Sequence, residues 1–276
     1  MLSDMTKRFI APFLFFLSII LLPTILLANE QQDSIYRVRT IVLDAGHGGP
    51  IPGARGATSL EKDVALQVVL KLGKAIAQEM PGIKVLYTRT TDVNVELYKR
   101  IEFANENRAD LFISVHLNSA PAPRGRQNKT VRGTETFVSL FGRLDEQEPS
   151  LREKAERENK DILLEENYEE NYGGFDPNDP ASYILLSLMK SQFRDQSIRL
   201  ASLIQEQYVK SGREDRGVQE LSLAVLARAS MPAVLTEIGF ISNPNEETYM
   251  KSERGQTEIV KNLVDAIKAY KLYMER

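Results

Sequence analysis

Apolar and polar positions along most of the chain form blocks that predict strands separated by helices. Apolar, β-rich runs predict strands at 38–44, 83–88, 134–138 and 233–239, and another strand that ends at His116. Apolar residues at helical spacing predict helices at 60–79, 94–107, 183–210 and 257–274. Because strands and helices alternate, we expect an α/β fold in which a mostly parallel or mixed twisted sheet carries helices on both faces, in one domain over residues 38–276.

The amino terminus has a different pattern. Lys7 and Arg8 precede an apolar run over residues 9–28, and polar residues follow it at once, which is typical of a secretory signal peptide. We expect cleavage after Ala28, a linker at 29–37, and no stable membrane span in the mature form. An uncleaved membrane anchor is the alternative, because the run is almost long enough to cross a bilayer. Either arrangement exports the folded domain.

Composition excludes several kinds of chemistry. The formal net charge is −3 and no block is rich in lysine and arginine, which argues against a nucleic-acid partner. The chain has no cysteine, so it can form no disulfide and offer no thiolate. Any metal ion would therefore be held by imidazole and carboxylate groups.

The two histidines of the chain occupy similar places in the pattern. His47 follows the strand predicted at 38–44, and His116 lies at the end of another apolar run. Functional groups of open α/β sheets gather beyond the carboxyl ends of the strands, so the two imidazoles are expected to meet in a metal site. For either histidine alone, a structural role in the core would be the alternative.

Two glutamates are candidates to complete that site. Glu61 opens the helix predicted at 60–79, with Ser59 as a plausible N-cap, and shares its inward face; interaction with the helix dipole is the alternative. Lys62 and Asp63 beside it are expected to face solvent. Glu237 lies inside an apolar strand, where a carboxylate must be paired, protonated or part of a site. Two imidazoles and one carboxylate leave zinc an open position for water, and Glu237 could take the proton, which predicts an amide hydrolase.

These residues lie in motifs that resemble the zinc-dependent N-acetylmuramoyl-L-alanine amidases of the type-3 amidase fold. In chain order the motifs are 43–49, 60–63, 88–92 with Leu97, Arg100, Ala104 and Asn105, then 114–120 and 232–243. The resemblance, which covers about residues 38–273, implies zinc ligands at His47, Glu61 and His116 and a general base at Glu237. It also implies a substrate, the amide bond between N-acetylmuramic acid and L-alanine in peptidoglycan. One departure is Leu117, where the family often has alanine.

An acidic insertion is expected at residues 141–180, which carry 13 acidic and 5 basic residues. A solvated surface is one interpretation. However, Glu158 and Glu165 share a helical stripe with Leu151, Ala155 and Ile162, so both acids should face inward. Residues 155–161 resemble the cell-separation amidases of Gram-negative bacteria, in which an inserted helix covers the active site until an activator displaces it. The resemblance implies a periplasmic enzyme of daughter-cell separation, held off by Glu158 or alternatively Glu165 at the open zinc position.

Two other functions compete with this interpretation. A zinc carboxypeptidase acting on wall peptides would use similar ligands, but it would need a positive pocket for a terminal carboxylate. We expect Arg89 and Arg100 to have structural roles instead. A non-catalytic wall-binding module could keep the same fold, but it would have little need for the acid at Glu237.

Overall fold

The structure, a computed structural model, describes residues 37–122, 126–139, 149–165 and 180–275. The predicted signal peptide at 1–28 lies outside the described residues, as do 29–36 of the predicted linker. Residues 141–148 and 166–179 of the acidic insertion lie outside them as well. Within the described part of the chain, no helix is both long enough and apolar enough to cross a bilayer.

Strands and helices alternate along the described residues. The strands are β1 (Thr40–Ala45), β2 (Lys84–Tyr87), β3 (Leu111–Asn118), β4 (Pro121–Ala122), β5 (Arg126–Gln127), β6 (Thr134–Ser139), β7 (Asp215–Leu221) and β8 (Ala233–Phe240). The α-helices are α1 (Glu61–Glu79), α2 (Leu97–Glu106), α3 (Pro149–Asn159), α4 (Pro180–Lys210), α5 (Pro244–Lys251) and α6 (Glu253–Met274). Two 3₁₀ turns span Lys160–Leu164 and Ala224–Leu226.

Six of the strands form one mixed sheet in the order β2-β1-β3-β8-β6-β7. Strands β2, β1, β3 and β8 run parallel, β6 is antiparallel to β8, and β7 is parallel to β6. Strands β4 and β5 form a separate antiparallel pair. The predicted α/β fold with a mixed sheet is confirmed.

The central strands are buried on both faces, as their apolar sequences predict. Every residue of β3 and β8 is buried. On one face, Val42, Phe112 and Leu235 join a core with α2 and with the Ala224–Leu226 turn. Helix α6 packs against both α1 and α4, and its own buried stripe includes Ile259 and Leu263. The sheet therefore has helices on both faces and holds the site residues on a rigid base.

The boundaries differ from the sequence expectation where polar caps decide them. Helix α6 begins at Glu253 rather than 257, because the hydroxyl of Ser252 accepts a hydrogen bond from the Gly255 amide at 3.0 Å. Helix α5 was not expected, although Asn243 caps it and Pro244 opens it. Strand β7 was not expected either, because this edge strand is half-buried and mostly polar, with weak apolar alternation.

Candidate metal centre and its covering segment

A row of ionisable side chains crosses the sheet near the carboxyl ends of its central strands. His116 of β3 is paired in register with Glu237 of β8, and Glu237 is paired with Glu135 of β6. All three residues are buried. They have the same strand parity as Phe112 and Leu235, so they lie on the face of the sheet that carries α2.

His47 reaches this row from the loop after β1. Its backbone has a positive φ of 57°, a conformation that costs roughly 1–3 kcal/mol in a residue other than glycine and needs support from its surroundings. Arg100 supplies part of that support through a 2.8 Å hydrogen bond to the His47 carbonyl. Arg89 donates to the carbonyls of Ala45 and Gly46 in the same loop. The two arginines therefore hold the loop that carries His47.

Glu61 lies between the two imidazoles. Its Oε2 is 3.2 Å from Nε2 of His47, and its Oε1 is 3.0 Å from Nδ1 of His116. Backbone amides fix both carboxylate oxygens, since Oε2 accepts from Ala54 at 2.7 Å and Oε1 accepts from Leu117 at 2.9 Å. The first-turn acid of α1 thus points into the protein, as the sequence predicts, and contacts both histidines.

Two glycines make room for this arrangement. A Cβ atom on Gly46 would lie 2.5 Å from the ring of His116. Gly53 has a φ of +67°, and a Cβ there would lie 2.5 Å from both Glu61 Oε2 and His47 Cδ2. Any side chain at either position would push a proposed ligand out of place.

The structure also brings Glu158 to this centre. Its Oε2 is 3.4 Å from Nδ1 of His116 and 3.9 Å from Nε2 of His47, and these three residues form a cluster that could hold a metal ion. Neither His47 Nε2 nor Glu158 Oε2 has a hydrogen-bond partner among the described residues, although both atoms are buried. A tetrahedral zinc ion with bonds of about 2.1 Å would place its ligand atoms roughly 3.4 Å apart, which is close to the 3.4 and 3.9 Å that separate Glu158 Oε2 from the two ring nitrogens.

Glu158 belongs to the covering segment, which we define as α3 and the following 3₁₀ turn with Glu165, residues 149–165. Ala155 is fully buried, and Leu151 and Ile162 pack against the core on the α2 face of the sheet. Glu158 lies on the same inward side, with a side chain only 9% exposed. The helical stripe anticipated in the sequence therefore packs against the protein body.

Polar contacts hold the covering segment as well. Lys154 forms a buried ion pair with Glu135. Arg157 donates to Asn118 Oδ1 and to the carbonyl of Ser119, both at 3.1 Å. Further on, Asn159 donates to Ser222 and accepts from the amide of Ala224, and Asp161 Oδ2 lies 3.0 Å from Nδ1 of His47. These contacts reach several different strands and turns of the core.

Glu165, the alternative to Glu158 in the sequence analysis, lies elsewhere. Its Oε1 accepts a 2.7 Å hydrogen bond from the amide of Leu97, the first residue of α2. The segment thereby caps α2 from outside, which explains why this helix begins at Leu97 rather than at 94. Of the two candidates, the structure brings only Glu158 into the histidine cluster of the described residues.

Two expectations for residues around Glu61 are wrong. Ser59 does not cap α1; its hydroxyl donates to Glu247 at 2.7 Å. Lys62 does not face solvent, because its Nζ donates to the carbonyl of Gly49 and forms an ion pair with Asp92. Ser59 thus connects the loop before α1 to α5, and Lys62 connects α1 to the loops that carry Gly49 and Asp92.

The imidazoles and Glu61 shift one another's proton affinities strongly. Burial alone would lower the pKa of His47, but Glu61 and Asp161 outweigh it and raise that pKa to about 9. In His116, the carboxylates of Glu158 and Glu61 likewise overcome burial and raise the pKa well above its usual value. Burial would raise the pKa of Glu61, but the two histidines lower it well below its usual value. These shifts favour protonated imidazoles beside a charged carboxylate.

Glu237 has the opposite character. Burial raises its pKa well above the usual value, and the charges of Glu158 and Glu61 raise it further. Its Oε2 is buried and has no hydrogen-bond partner among the described residues. The side chain therefore favours its protonated form, and the docked Glu158 strengthens this preference.

Two further buried acids near the site, Asp44 and Glu135, were not predicted from the sequence. Asp44 is fully buried, and it accepts hydrogen bonds from Arg100 and Ser114 at 2.8 and 2.6 Å. Glu135 accepts from Asn118 and pairs with Lys154. Glu135 lies between Thr134 and Thr136 in the strand predicted at 134–138, so an acid inside a predicted strand was the available signal.

Comparisons with known proteins show which family and which solved structures the chain is similar to. The family profile of N-acetylmuramoyl-L-alanine amidases matches residues 41–269. The uncharacterized protein YqiI of Bacillus subtilis is 30% identical over 233 residues, which are 84% of this chain and 84% of YqiI. AmiC of Escherichia coli, an N-acetylmuramoyl-L-alanine amidase, is 29% identical over 88% of this chain but only 56% of its own length. An N-acetylmuramoyl-L-alanine amidase structure from Clostridium difficile is 26% identical, with a TM-score of 0.60, over 85% of this chain and 97% of that one.

Proposed function

The chain belongs to the N-acetylmuramoyl-L-alanine amidase family, and we propose that its peptidoglycan amidase activity depends on zinc held by His47, Glu61 and His116. The observation that carries this proposal is the convergence of those three side chains on one buried point beside Glu237. Nε2 of His47 supports it, since this buried ring nitrogen makes no hydrogen bond among the described residues and faces the carboxylates of Glu61 and Glu158, an arrangement suited to a cation. Zinc, when bound, supplies a water molecule of lowered pKa and a Lewis acid for the scissile carbonyl.

Glu237 is the general base of this proposal. Its unpaired Oε2 is the atom that accepts the proton of the attacking water, and the same atom returns that proton to the leaving amide nitrogen. Departure of Glu158 removes one of the charges that keep Glu237 protonated. Opening of the site therefore lowers the pKa of Glu237, which favours the charged form that can accept a proton.

In this proposal the covering segment inhibits the enzyme. With Glu158 Oε2 within 3.4 Å of His116 Nδ1, the carboxylate occupies the space that water and the scissile amide need. A partner protein that binds the open form more tightly than the closed form by a few kcal/mol would shift the population toward the open form. We infer that an activator of this kind exists.

Neither arginine that a carboxypeptidase might use is available to a substrate. Arg100 forms a buried ion pair with Asp44 and donates to three backbone carbonyls. Arg89 is buried and donates to carbonyls of the His47 loop. These contacts favour cleavage within the muramoyl peptide over removal of a terminal residue.

The proposed setting is the cell wall of a Gram-negative bacterium. The sequence pattern of residues 1–28 supports export to the periplasm, with a linker at 29–37 before the catalytic domain. A covered active site suits an enzyme that must act only at a defined place and time, such as daughter-cell separation. Placement would then depend on the activator.

Metal analysis of the purified mature protein tests the proposed ligand set. We expect about one zinc ion per chain, and we expect His116→Ala to lose most of it because one of the three ligands is gone. Glu153→Gln, an exposed change on α3, is the control and should keep the metal. Full zinc content in His116→Ala would contradict the assignment.

A further inference from the structure

The carboxylate of Asp161 contacts the ring nitrogen of His47 that faces away from the other donors. Oδ2 of Asp161 is 3.0 Å from His47 Nδ1, whereas Nε2 of the same ring faces Glu61 and Glu158 at 3.2 and 3.9 Å. Asp161 and His47 are 4% and 6% exposed. The hydrogen bond between them is therefore shielded from water. Such a bond is stronger in the protein interior than in water.

We propose that Asp161 is a positioning residue for the metal centre. By accepting the Nδ1 proton of His47, it selects the tautomer whose Nε2 lone pair is directed at the metal, and it fixes the plane of the ring. This inference rests on the zinc site proposed above. Carboxylates that accept the second N–H of a metal-binding histidine typically raise metal affinity by about 10–100-fold.

The origin of Asp161 gives this contact a second consequence. It lies in the 3₁₀ turn of the covering segment, three residues after Glu158. The segment that blocks the open zinc position therefore also holds the proposed ligand His47 through its other ring nitrogen, Nδ1. When an activator displaces the segment, His47 loses its carboxylate partner at the same moment that Glu158 leaves.

The closed form therefore binds zinc more tightly than the open form does. Because coupling between two equilibria is reciprocal, bound zinc also stabilises the closed position of the segment. The inactive enzyme retains its metal until activation, and the active enzyme holds it less tightly. Chelators should accordingly remove zinc from the opened enzyme first.

His116 provides an internal contrast. Its Nδ1, not its Nε2, faces Glu61 and Glu158. The two rings would thus offer different nitrogens to the metal, and Asp161 contacts only one of them. Because these are the only histidines of the chain, their ring signals can be assigned without ambiguity in an NMR spectrum.

The test is competition for zinc against a chromophoric chelator at fixed pH. Asp161→Ala should lower zinc affinity about 10–100-fold, and Asp161→Asn should lose less, because its amide oxygen still accepts the Nδ1 proton. Glu153→Gln removes a charge from the exposed side of α3 and should bind as the unmodified protein does. Equal affinity in Asp161→Ala and the unmodified protein would overturn the inference.

A Glu158→Gln background separates positioning of His47 from binding of Glu158 to the metal, because glutamine keeps the shape of the side chain while Ala155, Lys154 and Arg157 still dock the segment. If Asp161 acts through His47, Asp161→Ala lowers affinity by the same factor in this background. If it acts only by holding the Glu158 carboxylate on the metal, the change has no effect there, and the inference is wrong. An unmodified protein that binds no zinc would instead contradict the proposed metal site itself.

Nitrogen-15 NMR of the zinc-loaded protein gives a readout that is independent of affinity. We expect the His47 proton on Nδ1 to be protected from exchange with water in the unmodified protein and to exchange rapidly in Asp161→Ala. The His116 ring should keep its proton on Nε2 in both proteins. An unprotected Nδ1 proton in the unmodified protein would contradict the bond to Asp161.

Discussion

At the scale of single residues, the chemistry of the site depends on where each carboxylate finds its partner. Glu61 has two imidazoles and two backbone amides around it, so it remains charged and fixed. Glu237, one strand away, has a buried oxygen without a partner and a raised pKa. The same residue type can therefore serve as a ligand at one position and as a proton carrier at the other.

Glu237→Gln should remove turnover and leave the metal in place. The amide keeps the shape of the side chain but cannot accept a proton, and loss of such a base commonly costs at least ~10²-fold in rate. The comparison is best made in a Glu158→Ala background, where the site is open. Zinc content and cleavage of a muramoyl-peptide fragment are measured together, and an unchanged rate would assign the base elsewhere.

Zinc affinity should rise with pH between about 6.5 and 9. The pKa of His47 is raised to about 9 and that of His116 is also raised, so at neutral pH zinc must displace protons from the rings. Each proton released makes affinity increase about tenfold per pH unit. Calorimetry in buffers of different ionisation enthalpy should show proton release, and a pH-independent affinity would contradict these shifts.

The same shifts give the metal-free protein an opposite pH dependence. Protonated His47 is stabilised by Glu61 and Asp161, so this contribution to folding is complete below about pH 6.5 and is lost as pH rises through about 9. Urea unfolding of the zinc-free protein at the two pH values measures it. Greater stability at pH 9 than at pH 6.5 would contradict the sign.

The two histidines could be selected from the sequence because each lies at the end of a predicted strand, Glu61 because it lies on the inward face of a predicted helix, and Glu237 because it lies inside an apolar strand. Zinc binding by the first three residues stays a prediction. The role of Asp161 could not be selected in this way. It contacts His47 across 114 residues of sequence, and no local spacing encodes a contact of that kind.

At the scale of elements, the covering segment is a small helix held by both apolar and ionic contacts. Ala155 is buried in the core, Lys154 pairs with buried Glu135, and Arg157 bonds to the end of β3. These separate contacts attach the segment to several elements of the core. Its apolar stripe was visible in the sequence, whereas the partners of its charged residues were not.

Release of the segment should raise basal activity. We expect this for Glu158→Ala, for deletion of residues 151–172, and for Lys154→Ala, which leaves every proposed ligand in place. Each 1.4 kcal/mol of lost docking energy increases the open population about tenfold while that population is small. The rate of muramoyl-peptide cleavage without activator is measured, with Glu153→Ala as the exposed control on the same helix.

Unchanged basal rates in all three variants, with zinc and fold intact, would show that residues 149–165 only cover the surface. A gain in Glu158→Ala alone would assign inhibition to the carboxylate rather than to docking. Either result would leave the proposed zinc ligands as they are.

Other elements show where sequence patterns lose their predictive value. The buried strands β1, β3 and β8 and the amphipathic helix α1 follow their apolar periodicity closely. Strand β7 lies at the edge of the sheet, and its four polar or charged residues are exposed or half-buried, so pairing with β6 rather than apolar burial defines it. Helix α2 begins where Glu165 caps it. This is a tertiary contact, which the local sequence does not predict.

At the scale of the whole molecule, the sheet brings distant parts of the chain to one point. The loop after β1, the first turn of α1, β3, β8 and the covering segment each contribute a side chain to the site. A mixed sheet with buried parallel strands at its centre provides the rigid base that such convergence needs. The fold class was predictable from the alternation of elements, but the antiparallel position of β6 was not.

Digestion of intact peptidoglycan, with the products separated by mass, tests the central claim most directly. The Glu158→Ala protein should release whole stem peptides with a free L-alanine amino terminus and leave the glycan strands uncut. A chelator should abolish this release, and added zinc should restore it. Removal of single carboxyl-terminal residues, or release of stem peptides that persists without any metal, would contradict a zinc-dependent N-acetylmuramoyl-L-alanine amidase.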